Sequence, residues 1–312
     1  MRTILVTGAN GFVGKHLIRE LHESGNRVIG VGGPAIIGGD SNEKSYLSEY
    51  HVCDLTNAAE TAKLDFHKVD AIIHLAALAS IQLSFTQPAR FIGDNGAITI
   101  NLLETLLQQG VKPRVVVVSS SSVYNPEQPL PINETGSLIM DSPYAISKLL
   151  TEHLCEYYRT RGIECIIARP FNHIGPGQRP GFLLPDLAAQ IKEATKEKKE
   201  IAVGNLTTKR DYTDVRDVVR AYRLLATSQN LKHILYNVCS GKSIAGEYFL
   251  KELIELLSPK EDLKVVVDKT RFRPNDHSDI RGSAERLHQE MGWEPTIPIH
   301  QTIADFVEAL GD

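Results

Sequence analysis

Several absences narrow the reading before any motif is considered. No apolar run in the 312 residues approaches the about 18 to 20 needed to cross a bilayer. The N-terminus enters Thr3-Ile4-Leu5-Val6 without a basic-then-apolar leader. Together these predict a cytoplasmic protein with no membrane partner. The formal net charge of -4 leaves no global basic field, so nucleic acid is not an expected partner, and any anionic ligand must be met by local positive groups. The four cysteines (Cys53, Cys155, Cys165, Cys239) form no Cys-x-x-Cys pair and sit in apolar patterns, as reduced core thiols do; no metal is expected. There is no internal repeat and no low-complexity segment. At 42% hydrophobic and 23% charged, the composition is that of a folded globular chain.

What is present alternates. Thr3 to Thr7, Arg27 to Val31, His51 to Cys53, Asp70 to Leu75, Arg114 to Ser119 and Glu164 to Ala168 have strand character, and helical patterns separate them. Val115-Val116-Val117-Val118 is apolar on successive residues, which suits a parallel strand covered on both faces. The predicted fold class is α/β: a doubly wound, Rossmann-like parallel sheet with a smaller C-terminal lobe. Long helices are expected over Pro88 to Gln109 and Tyr144 to Arg161, the second started by Ser142 as cap and Pro143 in the first turn. Later segments predict a helix from Leu183 to Lys198, one near Asp214 to Thr227, and a strand from Ile234 to Val238. Two short helices, a strand at Leu263 to Val267 and a last helix then follow Gly241. Residues 1–170, with 211–238 returning, form the expected dinucleotide-binding domain; 171–210 and 239–312 form the smaller substrate lobe. Residues 32–48 form a Gly/Ser-rich loop.

Two local patterns carry chemistry. Gly8, Gly11 and Gly14 follow the first strand and open a helix, where a missing side chain lets a pyrophosphate approach backbone amides. A plain strand-to-helix turn is the bland alternative. Tyr144 and Lys148 stand one helical turn apart and project from one face, the only tyrosine of ten with a lysine four residues on. An ammonium there, helped by the helix dipole, draws a phenol downward from about 10 and makes Tyr144 a proton shuttle. A solvated helix-face pair is its alternative. Ser119 to Ser122 end the fifth strand, at the edge where open α/β sheets bind ligands, and a serine there can hold a substrate oxygen. His74, before a strand end, is expected to be a core histidine.

These motifs, with Asp54-Leu55, His74-Leu75-Ala76-Ala77, Asn95 and Val123-Tyr124 in the same order, resemble the extended short-chain dehydrogenase/reductases acting on nucleotide sugars, over essentially the whole chain. Arg169-Pro170-Phe171-Asn172-His173-Ile174-Gly175-Pro176-Gly177-Gln178, Arg210 to Asp217, Tyr236 to Gly241 and Gly292-Trp293 narrow the likeness. They are similar to GDP-mannose 4,6-dehydratases and, more closely, to GDP-6-deoxy-4-keto-D-mannose reductases, which make GDP-D-rhamnose. The resemblance implies that Ser120, with Ser121 as fallback, joins Tyr144 and Lys148 as catalytic residues. It implies a cofactor site of Gly8, Asn10, Gly11, Phe12, Val13, Gly14, Asp54, Leu55, Leu75, Ala76, Ala77 and Pro170 together with Tyr144 and Lys148. Ser121, Asn172, Phe182, Leu183, Arg210 and Arg273 are the implied substrate contacts, the two arginines clamping a diphosphate. A homodimer is implied through the two long helices.

The reaction is narrowed by another absence. By the same resemblance, dehydratases carry Glu two residues before the strand-end Tyr, where this chain has Ser122; Glu127 and Glu134 lie further along a loop. An epimerase-reductase needs a thiol beside its histidine, and no cysteine occurs between Cys53 and Cys155. Reduction of a C4 ketone needs neither. A nucleotide-sugar 4-epimerase with a held NAD uses the same Ser/Tyr/Lys set and is the alternative, ahead of a dehydratase or a non-catalytic dinucleotide sensor. After the second strand, Gly30-Val31-Gly32-Gly33-Pro34 has neither the acid that selects NAD nor an arginine for the 2′-phosphate; lacking the acid favours NADP(H), with NAD(H) as the other option.

Overall fold

The computed structural model describes residues 1–34, 44–194, 200–258, 263–271 and 277–311. The strands, in chain order, are β1 (Thr3–Thr7), β2 (Arg27–Gly32), β3 (Glu49–Val52), β4 (Ala71–His74), β5 (Arg114–Val118), β6 (Cys165–Pro170), β7 (Asn172–Ile174), β8 (Glu200–Val203), β9 (Lys209–Asp214), β10 (Leu235–Val238), β11 (Ser243–Ala245), β12 (Lys264–Val267) and β13 (Asp279–Ile280). Seven of them form one parallel sheet in the order β10-β6-β5-β4-β1-β2-β3. The order reverses between β1 and β4, and the strands' carboxyl ends open a crevice there.

Alternate residues of the apolar strands supply the two sides of the core. Ile4, Val6, Ile73 and Val116 face one side, against Leu17, Ile18, Leu21 and the Val215–Thr227 helix. Leu5, Ile72, Val115 and Val117 face the other, against Leu102, Leu103 and Leu106 of the Pro88–Gln108 helix and Cys155 of the Pro143–Thr160 helix. All four cysteines are buried free thiols, as expected.

The smaller lobe has its own core of Leu184, Leu187, Ile191, Phe249, Leu253 and Phe306, and its own short sheet in which β9 pairs β7, β11 and β13. Two segments cross the expected division. β9 belongs to the lobe sheet, so the return to the main sheet begins with the Val215–Thr227 helix. Leu287 and Trp293, expected in the lobe, pack into the main core, and Trp293 Nε1 donates to the Asp217 carbonyl at 3.0 Å. A single 12-residue helix, Gly246–Leu257, stands before β12 where two short helices were expected. Its run of Phe249, Leu250 and Leu253 gives one uninterrupted apolar stripe. The Leu183–Glu193 helix fills the described part of the expected span; residues 195–199 lie outside the described set, as do residues 35–43 of the Gly/Ser-rich loop. Among the described residues, no helix is long and apolar enough to cross a membrane.

Candidate active site

The turn after β1 has the shape a dinucleotide requires. Gly8 has φ of +70°, and a Cβ there would stand 2.9 Å from the amide nitrogen of Ala76. Gly11 donates its amide to the Gly8 carbonyl at 3.0 Å and begins the Phe12–Glu23 helix without any side-chain cap, so the first helical amides are uncovered by a capping group. Gly14 is buried in the first turn, and Val13 packs against the main core. Across the crevice, Thr7 Oγ1 is 2.8 Å from His74 Nδ1 and accepts from the Ala76 amide at 3.2 Å. This bond tethers β1 to the start of Leu75-Ala76-Ala77, whose small, partly exposed residues form the rim. Burial drives His74 down to about 3, so it is a neutral core histidine, as the sequence predicts. These residues fit a pyrophosphate-bearing cofactor.

The outer end of the crevice bears on cofactor choice. A Cβ on Gly32 would lie 2.5 Å from Asn10 Oδ1 and 2.6 Å from the Tyr50 hydroxyl, so a side chain there requires the ends of these two side chains to shift. Asp54 is exposed and its Oδ1 accepts from the Thr56 amide and hydroxyl at 3.0 and 2.7 Å; Leu55 beside it is buried. Phe12 stands edge-on to His16 and stacks on His173 at 6.3 Å, while Pro170 closes β6 in the interior.

The reactive centre sits where β5 ends. Ser142 Oγ accepts from the Ala145 amide at 3.2 Å and Pro143 occupies the first turn, so Tyr144 and Lys148 face the sheet from the start of the helix. Both are buried, at 8% and 5% exposure. Ser120 stands beside the Tyr144 hydroxyl, caps the short 121–123 turn by accepting from the Ser122 amide, and lies 2.8 Å from Ser122 Oγ. Ser121 opens that turn and is partly exposed.

One expectation is corrected. Lys148 does not draw Tyr144 down: its Nζ donates to the Val118 carbonyl at 2.9 Å and lies 5.8 Å from the phenol ring centre. Burial pushes the Tyr144 hydroxyl above its ordinary value and the Ser120 hydroxyl opposes this only in part. Burial also pulls Lys148 down to about 8, against the pull of Glu152. Desolvation, invisible in the Tyr-x-x-x-Lys spacing, outweighs the helix geometry.

On the substrate side, β7 places exposed Asn172 in register with Tyr212, two residues along β9 from Arg210. Arg210 Nη1 donates to the carbonyls of Lys209 and His277, each at 2.8 Å. Phe182 is 46% exposed just before the Leu183–Glu193 helix, whose Leu183 turns onto the lobe core. Arg273 lies outside the described residues. Glu134 is buried away from Tyr144, accepting from the Asn237 amide at 2.9 Å and facing Arg286, and Glu127 is exposed on its loop. Sequence reasoning missed Glu152 and Arg169, a buried ion pair one turn beyond Lys148 with Nε to Oε1 at 2.8 Å. A glutamate four residues after Lys148 on a buried helix face was the available signal.

Residues 4–239 match the NAD dependent epimerase/dehydratase family. The chain is 36% identical over 308 residues to the GDP-6-deoxy-D-mannose reductase of Pseudomonas aeruginosa, covering 96% of this chain and 94% of that protein. It is similar to the solved structure of RMD from Pseudomonas aeruginosa complexed with NADPH, with a TM-score of 0.83, 33% identity, and 99% and 98% of the two chains covered. It is also similar to a UDP-glucose 4-epimerase from Thermotoga maritima with UDP-glucose, with a TM-score of 0.85, 26% identity and the same coverage.

Proposed function

The chain belongs to the NAD-dependent epimerase/dehydratase family, and from that premise we propose that it reduces the C4 ketone of a nucleotide-activated 4-keto-6-deoxy sugar. The substrate is GDP-4-keto-6-deoxy-D-mannose, the product GDP-D-rhamnose and the preferred reductant NADPH. The observation that carries this reading is the pairing of Ser120 with Tyr144 while the nearby loop glutamates are engaged or exposed elsewhere. Removing water across C5 and C6 needs a carboxylate at the sugar; reducing a ketone needs one proton donor and one hydride.

Bound NADPH supplies the hydride for C4. Gly8, Gly11 and the start of the Phe12–Glu23 helix hold its pyrophosphate, and Leu75, Ala76 and Ala77 line its channel. Tyr144 gives its proton to the C4 oxygen as the carbonyl becomes an alkoxide, and Ser120 donates a hydrogen bond to the same oxygen. The raised Tyr144 hydroxyl suits this direction: a reduction starts from the protonated phenol, whereas the alcohol oxidation that opens a 4-epimerase cycle starts from phenolate. Lys148, its Nζ 5.8 Å from the phenol ring centre, places a positive charge one turn along the same helix face. Asn172 and Arg210 meet the diphosphate, with Phe182 and Leu183 toward the base and Arg273 as a second cation. Glycine at 32 and 33 supports NADPH, since no carboxylate repels a 2′-phosphate there.

The test offers GDP-, dTDP- and UDP-4-keto-6-deoxy sugars with NADPH or NADH and assigns the product's C4 configuration by NMR. Consumption of NADPH with a rhamno product from the GDP sugar is expected. Interconversion of UDP-hexoses without added cofactor, and no ketone reduction, would replace the reading with an epimerase. We further propose a cytoplasmic homodimer joined through the Pro88–Gln108 and Pro143–Thr160 helices, which pack together within the chain and leave Ile100 and Tyr157 exposed. Light scattering is then expected to give twice the 34.5 kDa chain mass, and a monomer would remove the dimer.

A further inference from the structure

Three consecutive residues at the end of β5 each face one of three residues spaced a turn apart on the Pro143–Thr160 helix. The Val118 carbonyl accepts from Lys148, the Ser119 hydroxyl donates to Glu152 Oε1, and the Ser120 hydroxyl stands beside that of Tyr144. Two of these contacts belong to the reactive centre, and the middle one has no role in it so far. Glu152 is 6% exposed and its carboxylate is clasped by both Nε and a terminal nitrogen of Arg169, itself 3% exposed on β6. The Arg169 guanidinium lies 4.7 Å over the Tyr124 ring, and the Tyr124 hydroxyl donates to Asn237 Oδ1 at 2.7 Å. The carboxylate is thus fixed from β6 and β10 before it reaches β5.

A buried ion pair of this kind is a weak source of stability, because desolvation offsets the Coulomb gain and apolar replacements often fold as well. Its position is more informative. We propose that Glu152 is a positioning residue of the reactive centre: through Ser119 it sets the strand end that presents the Val118 carbonyl and the Ser120 hydroxyl, and through its charge it acts on Lys148. The proposal rests on the reading of Tyr144 as proton donor.

Among the described residues, the groups facing Lys148 are these. Tyr144 and Glu152 come from its own helix, His74 from the end of β4, and Arg169 stands behind Glu152 on β6; the adjoining Pro88–Gln108 helix brings Asn95, which is neutral and bonded to Ser147. His74 is held neutral by burial, so Glu152 is the anion that opposes loss of the Lys148 proton. Without that charge the ammonium deprotonates at lower pH.

The experiment measures kcat and KM from about pH 6 to 10, with NADPH and the keto sugar, for wild type, Glu152→Gln, Glu152→Asp and the double variant Glu152→Leu/Arg169→Met. In Glu152→Gln, kcat is expected to fall about tenfold with KM changed less than about twofold, as for a slightly misplaced catalytic group. Its alkaline limb, near 8 in the wild type from Lys148, is expected to move to lower pH. Glu152→Asp recovers part of both. Glu152→Gln leaves Arg169 buried beside a neutral amide and can fail to fold. The double variant carries no unpaired charge, and it is expected to fold, to lose kcat and to show the same displaced limb. A limb at the wild-type position in the folded variants, or a double variant with wild-type kcat, overturns the proposal. Tyr144→Phe assayed alongside separates the two readings. If it keeps its turnover, the donor assignment has failed; if it is inactive while the Glu152 variants superpose on wild type, only the role of Glu152 has.

Discussion

The reactive centre and the nucleotide side are built in opposite ways. Ser120, Tyr144 and Lys148 come from two short stretches of chain; Tyr144 and Lys148 are buried, Lys148 is bonded to the β5 end and Ser120 stands beside Tyr144. Asn172, Phe182 and Arg210 come from three separated segments, and Asn172 and Phe182 are exposed. Arg210 is held by backbone carbonyls on a sheet of strands two to six residues long. On the proposed function, the difference means that proton transfer is organised before substrate arrives, which is where preorganised dipoles are most effective. Recognition instead relies on edges that a diphosphate completes. Damage to the first region should appear in kcat, and damage to the second in KM.

The largest effect is expected from Tyr144→Phe. Removing the one proton donor at the C4 oxygen should cost about 10² to 10⁴ in kcat, while NADPH affinity, read by fluorescence titration, stays within about twofold of wild type. Retention of more than a tenth of the turnover would move the donor elsewhere and erase the contrast between the regions. Arg210→Met comes next. Losing a charged hydrogen-bonding partner of a phosphate costs on the order of 1.5 to 3 kcal/mol, which should raise KM for the nucleotide sugar at least about tenfold with kcat little changed. A fall in kcat at constant KM would place Arg210 with the reactive centre.

The same contrast governs how much was legible in the sequence. The Gly8 to Gly14 turn, the apolar Val115 to Val118 strand and the Tyr144/Lys148 spacing are local patterns, so the fold class, and the residues proposed as the catalytic set, could be read from residues close together in the chain. What escaped depended on distance or on burial. Glu152 gains meaning only when β6 brings Arg169 beside it, and the upward push on Tyr144 comes from desolvation that no spacing rule records. Leu287 and Trp293 joined the main core although they follow the lobe segments in the chain, because the Asp217 carbonyl and carboxylate bind the tail at Trp293, Thr296 and Ile297.

The smallest expected effect separates two explanations for the order of the reactive centre. Tyr144 is held from one side by the capped start of its helix, through Ser142, and from the other by the β5 end, through Ser120. Ser142→Ala removes the cap and should cost about 1 kcal/mol of stability, seen as a fall in Tm of about 2 °C for a chain of this size. Pro143 still presets the first turn, and the contacts of Val118, Ser119 and Ser120 with the next turns remain, so kcat should stay within about twofold of wild type. A Ser142→Ala enzyme as slow as Glu152→Gln would mean that the helix start, not the strand end, sets the donor's position. The preassembled region would then extend one turn toward the N-terminus of the helix and would no longer need Glu152.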